Sequence, residues 1–141
     1  MNMLRWLTAE IFLGILSLLI SSCAAVYTTS ESAYNISGIV AEQRTNGYVL
    51  KIEAVRKIGN VEAWIGQDNW LYITIPDTSI NVKQLNSLEK SPIVGKMHFF
   101  RYQTAVQVTL QLKEKFDHID VLRYPDDNNI YVVLYQFKTN M

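Results

Sequence analysis

The chain has 141 residues, 49% of them hydrophobic, with 13 Lys plus Arg balanced by 13 Asp plus Glu. That length is one domain's worth, enough for a core that buries roughly two-thirds of the unfolded chain's surface. A formal net charge of zero and no basic block argue against nucleic acid as a partner.

Met1 to Arg5 is a short segment whose positive charge comes from the amino terminus and Arg5, and Trp6 to Ile20 is mostly apolar. Such a run suits the hydrophobic region of a signal peptide and is short for a transmembrane helix, which needs roughly 20 apolar residues. Glu10 interrupts it with a charge that a bilayer centre disfavours. The run ends in Ile20-Ser21-Ser22-Cys23: a branched apolar residue, two small residues, then the chain's only cysteine. This resembles the lipobox of bacterial prolipoproteins, where small residues fit the peptidase and the thiol becomes a thioether to diacylglycerol. The alternatives are an ordinary signal peptide with a chance cysteine, or an uncleaved anchor. A lone cysteine has no intramolecular disulfide partner, so an exported chain needs another use for it.

The resemblance implies a signal helix over residues 1–22, cleavage before Cys23, and a covalent diacylglycerol and N-acyl lipid on that cysteine. No other cofactor is expected. At about 0.8 kcal/mol per buried methylene, two or three chains hold a small domain where one holds only marginally. Ala24 follows the cysteine. By the enterobacterial sorting rule, a residue other than aspartate there directs a Gram-negative lipoprotein to the outer membrane, facing the periplasm.

Residues 23–34 are mostly small and polar, with Thr28-Thr29-Ser30 at their centre, and read as a lipidated tether. Residues 35–141 read as an all-β domain. Tyr48, Leu50, Ile52 and Ala54 alternate with other residues, as do Val106, Val108, Leu110 and Leu112, and Val61, Ala63 and Ile65 form a shorter case. Trp70–Ile75 and Ile130–Phe137 are nearly continuous apolar runs, expected of strands covered on both faces or facing an interface. Turn residues such as Asn46-Gly47, Gly59-Asn60 and Asp126-Asp127-Asn128-Asn129 punctuate the strands. Val82–Ser91 alone lacks strand character and suits a helical turn or a loop.

The two halves of the domain repeat each other. Tyr48, Leu50, Ile52 and Ala54 correspond to Val106, Val108, Leu110 and Leu112 at an offset of 58, and Val61 and Ala63 to Ile119 and Val121 at the same offset. Trp70, Tyr72 and Thr74 align with Ile130, Val132 and Leu134 at 60. Each half has an apolar face it cannot bury alone, so the expected fold is a β-sandwich of two pseudo-symmetric antiparallel sheets.

Catalytic signatures are missing from the sequence: His98 and His118 lack metal-ligand spacing, and no nucleophile elbow or phosphate cradle accompanies the serines. An enzyme and a metal site are therefore not expected. The stretch Lys96-Met97-His98-Phe99-Phe100-Arg101-Tyr102-Gln103 combines cations, aromatic rings and an amide in one predicted strand. Lys96, Arg101 and Tyr102 are the candidate binding residues, because rings stack on sugar faces while cations and amides bond hydroxyls and carboxylates. If Met97 and Phe99 face inward, His98, Phe100 and Tyr102 face outward; the plainer reading makes Phe99 and Phe100 core and Arg101 a solvated rim residue.

Phe100-Arg101-Tyr102, the turn Gln103-Thr104-Ala105, the alternating Val108, Leu110 and Leu112, and the closing Ile130–Leu134 strand together resemble the AMIN domain. That domain occurs in periplasmic N-acetylmuramoyl-L-alanine amidases and type IV pilus secretins. Gln107 stands where the family pattern has a second arginine. The resemblance spans Asn35 to Phe137 and implies a sandwich of two symmetry-related sheets with a noncatalytic role, placing a machine in the envelope through peptidoglycan. With no amidase or secretin sequence before Met141, it implies a free-standing, lipid-tethered envelope-binding module. Two other readings stand beside it. An accessory lipoprotein of a secretin, pilus or other envelope complex would use the apolar Ile130–Phe137 and Trp70-Leu71-Tyr72 segments as an edge or patch. A carrier of an apolar ligand would use the 8 tyrosines and 5 phenylalanines.

Overall fold

Where alternate side chains are aliphatic, extended backbone puts them all on one face, and burying that face is worth about 1.5–3 kcal/mol per large residue. A computed structural model of the chain, which describes residues 35–137, shows that segregation in eight strands. They are β1 (Ile36–Arg44), β2 (Gly47–Ala54), β3 (Glu62–Ile65), β4 (Trp70–Pro76), β5 (Val94–Arg101), β6 (Ala105–Leu112), β7 (His118–Arg123) and β8 (Ile130–Tyr135). They form two antiparallel four-stranded sheets, ordered β1-β2-β8-β7 and β3-β4-β6-β5. Leu50, Ile52, Val132 and Leu134 of the first sheet join Leu71, Ile73, Val108 and Leu110 of the second in a single buried cluster. All buried members of that cluster lie between Ile36 and Leu134, so the domain carries its own core.

The order of strands shows what became of the repeat. Each half gives its first two strands to one sheet and its last two to the other, so replacing β1, β2, β8 and β7 by β5, β6, β4 and β3 turns the first sheet into the second. Register follows the same rule. Ile39 pairs with Ile52 and Ala41 with Leu50; 58 positions on, Met97 pairs with Leu110 and Phe99 with Val108. Even the irregularity repeats, since the β1 register slips between Ile36 and Gly38 and that of β5 between Val94 and Lys96. A bulge copied at the same place in both hairpins is a specific backbone feature, not a loose likeness of two meanders.

One strand sits a residue away from its expected phase. Trp70, Tyr72 and Thr74 were aligned with the core-facing Ile130, Val132 and Leu134, but Leu71, Ile73 and Ile75 are the fully buried residues of β4. Leu71 pairs with Leu110 and Ile73 with Val108, as Ile130 pairs with Ile52 and Val132 with Leu50. The offset for this strand is thus 59. An unbroken apolar run has no alternation to fix its face, and a one-residue slip reverses every side chain. The continuous runs do mark the inner strands, β4 and β8, yet their outward residues Trp70, Tyr72, Tyr131 and Val133 are half-buried rather than covered.

Between β4 and β5 the chain makes a 3-10 turn (Val82–Leu85) and one turn of helix, α1 (Asn86–Glu89). Asn81 opens it with a reciprocal cap: its side chain accepts from the Lys83 amide at 3.0 Å, and the Gln84 side chain accepts from the Asn81 amide at 3.0 Å. Leu85 and Leu88 enter the core, and the Ser87 hydroxyl donates to the Ile39 carbonyl at 3.3 Å, covering part of the β1 edge. Among the described residues no helix is long and apolar enough to cross a membrane. The expected signal helix, the lipobox residues Ile20, Ser21 and Ser22, Cys23 and the tether lie outside the described residues.

Candidate binding face

Pairing in the second sheet determines what its outer side presents. Trp64 of β3 lies opposite Tyr72 of β4, Tyr72 opposite Thr109 of β6, and Thr109 opposite His98 of β5. Neighbouring rows add Trp70, Gln111 and Lys96 on one side, and Thr74, Gln107 and Phe100 on the other. Aromatic rings therefore flank a central strand whose outward side chains are amides and a hydroxyl.

The rings are ordered against one another. Trp64 and Tyr72 stack with centroids 5.3 Å apart and planes 9° from parallel. Trp70 leans across β6 to His98 at 5.4 Å, and His98 stacks with Phe100 at 6.3 Å. The tight turn before β4 sets this up: Asp68 and Asn69 take left-handed backbone angles (φ 52° and 58°), which Asp and Asn tolerate better than most residues, and the Gly66 amide donates to the Trp70 carbonyl at 2.7 Å. A Cβ on Gly66 would lie 2.9 Å from Tyr72 Cε2, so glycine makes room for the Tyr72 ring. Trp64 and Phe100 remain 43% and 47% exposed.

Polar groups beneath the rings are partly used. Gln107 Nε2 donates to Thr74 Oγ1 at 3.2 Å. Thr109 is only 5% exposed, and its hydroxyl has no hydrogen-bond partner among the described residues. A hydroxyl shut away without a partner carries a desolvation cost of about 1–3 kcal/mol.

The three residues singled out by sequence go to different places. Lys96 is exposed at the margin of this face, on the edge strand. Tyr102 is 56% exposed just beyond β5, with its hydroxyl 3.5 Å from Gln107 Oε1. Arg101 belongs to the opposite row, with Met97 and Phe99, and donates to the Ile80 carbonyl at 3.1 Å while lying 6.0 Å from the Phe99 ring. It fastens the loop after β4. Met97 and Phe99 pack partly against the core, leaving His98 and Phe100 outward; the plainer reading, with Phe100 also in the core, is corrected by its 47% exposure. Trp64, Tyr72 and Thr109 form one group only in the observed phase of β4, one residue from the phase that the repeat at 60 predicts.

The outer side of the first sheet has another chemistry. Val49, Leu122, Tyr124, Tyr131, Val133, Tyr135 and Arg44 line a shallow depression of about 430 Å³. At its margin the Tyr131 hydroxyl donates to Asp127 Oδ2 at 2.6 Å and the Asn129 amide donates to Asp127 Oδ1 at 2.9 Å. The Tyr131 bond holds Asp127 below the usual carboxylate range and lifts Tyr131 above the usual phenol range. Glu53, 3.1 Å away, likewise raises Lys51. His118 lies 3.0 Å from Asp120. Among the described residues no three His, Cys, Asp or Glu side chains are grouped to hold a metal ion. No model of a known protein family matches the sequence, and no curated protein matches it.

Proposed function

We propose that this chain is a noncatalytic, lipid-anchored binding module of the bacterial envelope, held to a membrane through Cys23 and binding peptidoglycan with its β domain. The observation that carries the binding half is the ring-flanked outer face of the second sheet, with Trp64 and Phe100 nearly half exposed to solvent. The lipobox Ile20-Ser21-Ser22-Cys23 carries the anchoring half. The shared buried cluster supports face-to-face packing of the sheets as a sandwich, and the strand exchange supports the AMIN-like reading, which implies two symmetry-related sheets. Co-sedimentation of residues 24–141 with purified sacculi tests the proposal. Retention above that of a neutral control protein is expected; retention equal to the control contradicts it.

A second reading, an accessory subunit of a larger envelope complex, draws on the first sheet's outer depression and on the exposure of Tyr124 (53%) beside it. It does not draw on free strand edges, since β4 and β8 are inner strands. Recovery of a stoichiometric protein partner from native membranes supports this reading, and a monomer without one argues against it.

A further inference from the structure

We infer that the outer face of the second sheet takes an uncharged, N-acetylated glycan chain lying across the strands, and that the matching face of the first sheet does not. The inference deepens the envelope-binding reading above and rests on it for the source of the ligand. Its grounds are the composition of the face, the unpartnered Thr109 hydroxyl, and a comparison that the internal repeat provides.

Sugar rings present apolar C–H faces and polar edges, so a binding surface for them combines exposed aromatic planes with uncharged donors and acceptors. This face has that combination. Trp64, Tyr72, Trp70, His98 and Phe100 supply rings from β3 across to β5, over three strand spacings or roughly 14 Å. Gln107, Gln111 and Thr109 supply the polar groups between them. Thr109 Oγ1 is buried without a partner beneath this face, and a sugar hydroxyl would give it one where the side chains above it shift aside. Charges are marginal: Glu62, opposite Thr74, and Lys96 lie on the two edge strands, and Arg101 is turned to the Ile80 carbonyl. An anionic peptide stem would find little to pair with here.

The repeat places an equivalent position on the other sheet for each of these residues. At an offset of 58, Trp64 becomes Leu122, His98 is matched by Val40, Phe100 by Glu42 and Thr109 by Lys51. Rings occur on both faces, since Tyr72 is matched by Tyr131 and the first sheet also presents Tyr124 and Tyr135. The strand between the rings differs: Gln107, Thr109 and Gln111 are uncharged, whereas Val49, Lys51 and Glu53 stand at the matching places. Folding alone asks the same of both faces, so this difference points to an uncharged ligand for the second sheet.

The experiment uses residues 24–141, whose core is complete, and the tetramer of N-acetylglucosamine as the probe, followed by tryptophan fluorescence. Saturable binding is expected. Trp64→Ala and Phe100→Ala, both at exposed positions, should each weaken it about tenfold. The matched variants Leu122→Ala and Glu42→Ala should leave it unchanged, with circular dichroism showing all four folded. Equal weakening by the matched variants overturns the assignment of the face. If sacculi retain the domain and the tetramer does not bind, the glycan inference fails while the envelope reading stands. If the tetramer binds and sacculi do not, the inference holds and the envelope reading fails.

Discussion

Gly47→Ala is the sharpest test of the backbone geometry. Gly47 follows the two-residue turn between β1 and β2 and has φ of 140°, a conformation open to glycine and strained for any L side chain. A Cβ there would lie 1.9 Å from the Leu134 carbonyl oxygen and 3.0 Å from its carbon, both backbone atoms of β8. No rotamer relieves that overlap; either the backbone turns or β2 and β8 part beside the Gly47–Tyr135 pair. Strain of about 1–3 kcal/mol, together with a lost ladder bond of about 0.5–1.5 kcal/mol, gives a cost of roughly 2–4 kcal/mol. For a domain of this size that lowers Tm by roughly 10–20 °C. Urea unfolding of residues 24–141, followed by circular dichroism, should show a lower midpoint with an unchanged slope. Gly38→Ala is the control. Its Cβ would meet Glu53 Oε2 at 3.5 Å and the Gln84 carbonyl at 3.7 Å, ordinary contacts, and the matching position in the second half holds Lys96. Its effect should stay within about 1 kcal/mol. A Gly47→Ala cost below about 1 kcal/mol, or equal to that of Gly38→Ala, refutes the reasoning.

Gly66→Ala should act on the aromatic face more than on stability, because its Cβ would meet the far side of the Tyr72 ring at 2.9 Å. Tryptophan fluorescence should shift with an unfolding cost under about 1 kcal/mol, and an unchanged spectrum would count against the Trp64–Tyr72 stack. Asp127 has a folded pKa below its ordinary 3.8, chiefly through the Tyr131 hydroxyl. Its contribution is therefore present above that ordinary value and lost as pH falls through the folded one. Urea midpoints measured between about pH 5 and pH 2 should fall more steeply for the native chain than for Asp127→Asn, and equal slopes contradict the pairing. Arg123 donates to the carbonyls of Ile58 at 2.8 Å and Gly59 at 2.6 Å, tying down the loop between β2 and β3. Arg123→Ala should cost about 1 kcal/mol and speed amide exchange across residues 56–61, whereas unchanged exchange there removes the loop-fastening role.

Much of the scaffold was legible wherever hydrophobicity alternates. Val106, Val108, Leu110 and Leu112 announce their face, and the repeat of Tyr48–Ala54 at 58 positions anticipated two hairpins that share register. The copied bulge has a signal in Gly38 and Gly95, isolated glycines in strand-like sequence, but only the pairing fixes its place between Ile36 and Gly38 and between Val94 and Lys96. Trp70–Ile75 resisted because every candidate phase looks apolar; only pairing with β6 selects Leu71, Ile73 and Ile75. That single slip hides the outer aromatic face, since the expected phase puts Trp70 and Tyr72 inward. Arg101 shows a different limit. Its place at a strand end was readable, but its bond to Ile80, 21 residues earlier, depends on how the loop after β4 folds back. Thr109 alternates as a surface residue should, yet it is 5% exposed on an inner strand, between Tyr72 and His98 of its neighbours.

The central claim joins an anchor to a self-contained domain, and Cys23→Ser separates the two. In a Gram-negative host, fractionation of cells expressing the full chain should find the native protein in the membrane fraction. The Cys23→Ser protein should appear as a soluble, folded periplasmic domain with the same β-sheet spectrum. If the native protein, cut before Cys23, carries no lipid on that residue by mass spectrometry, or a Cys23→Ser chain cut at the same bond stays in the membrane, the account is contradicted.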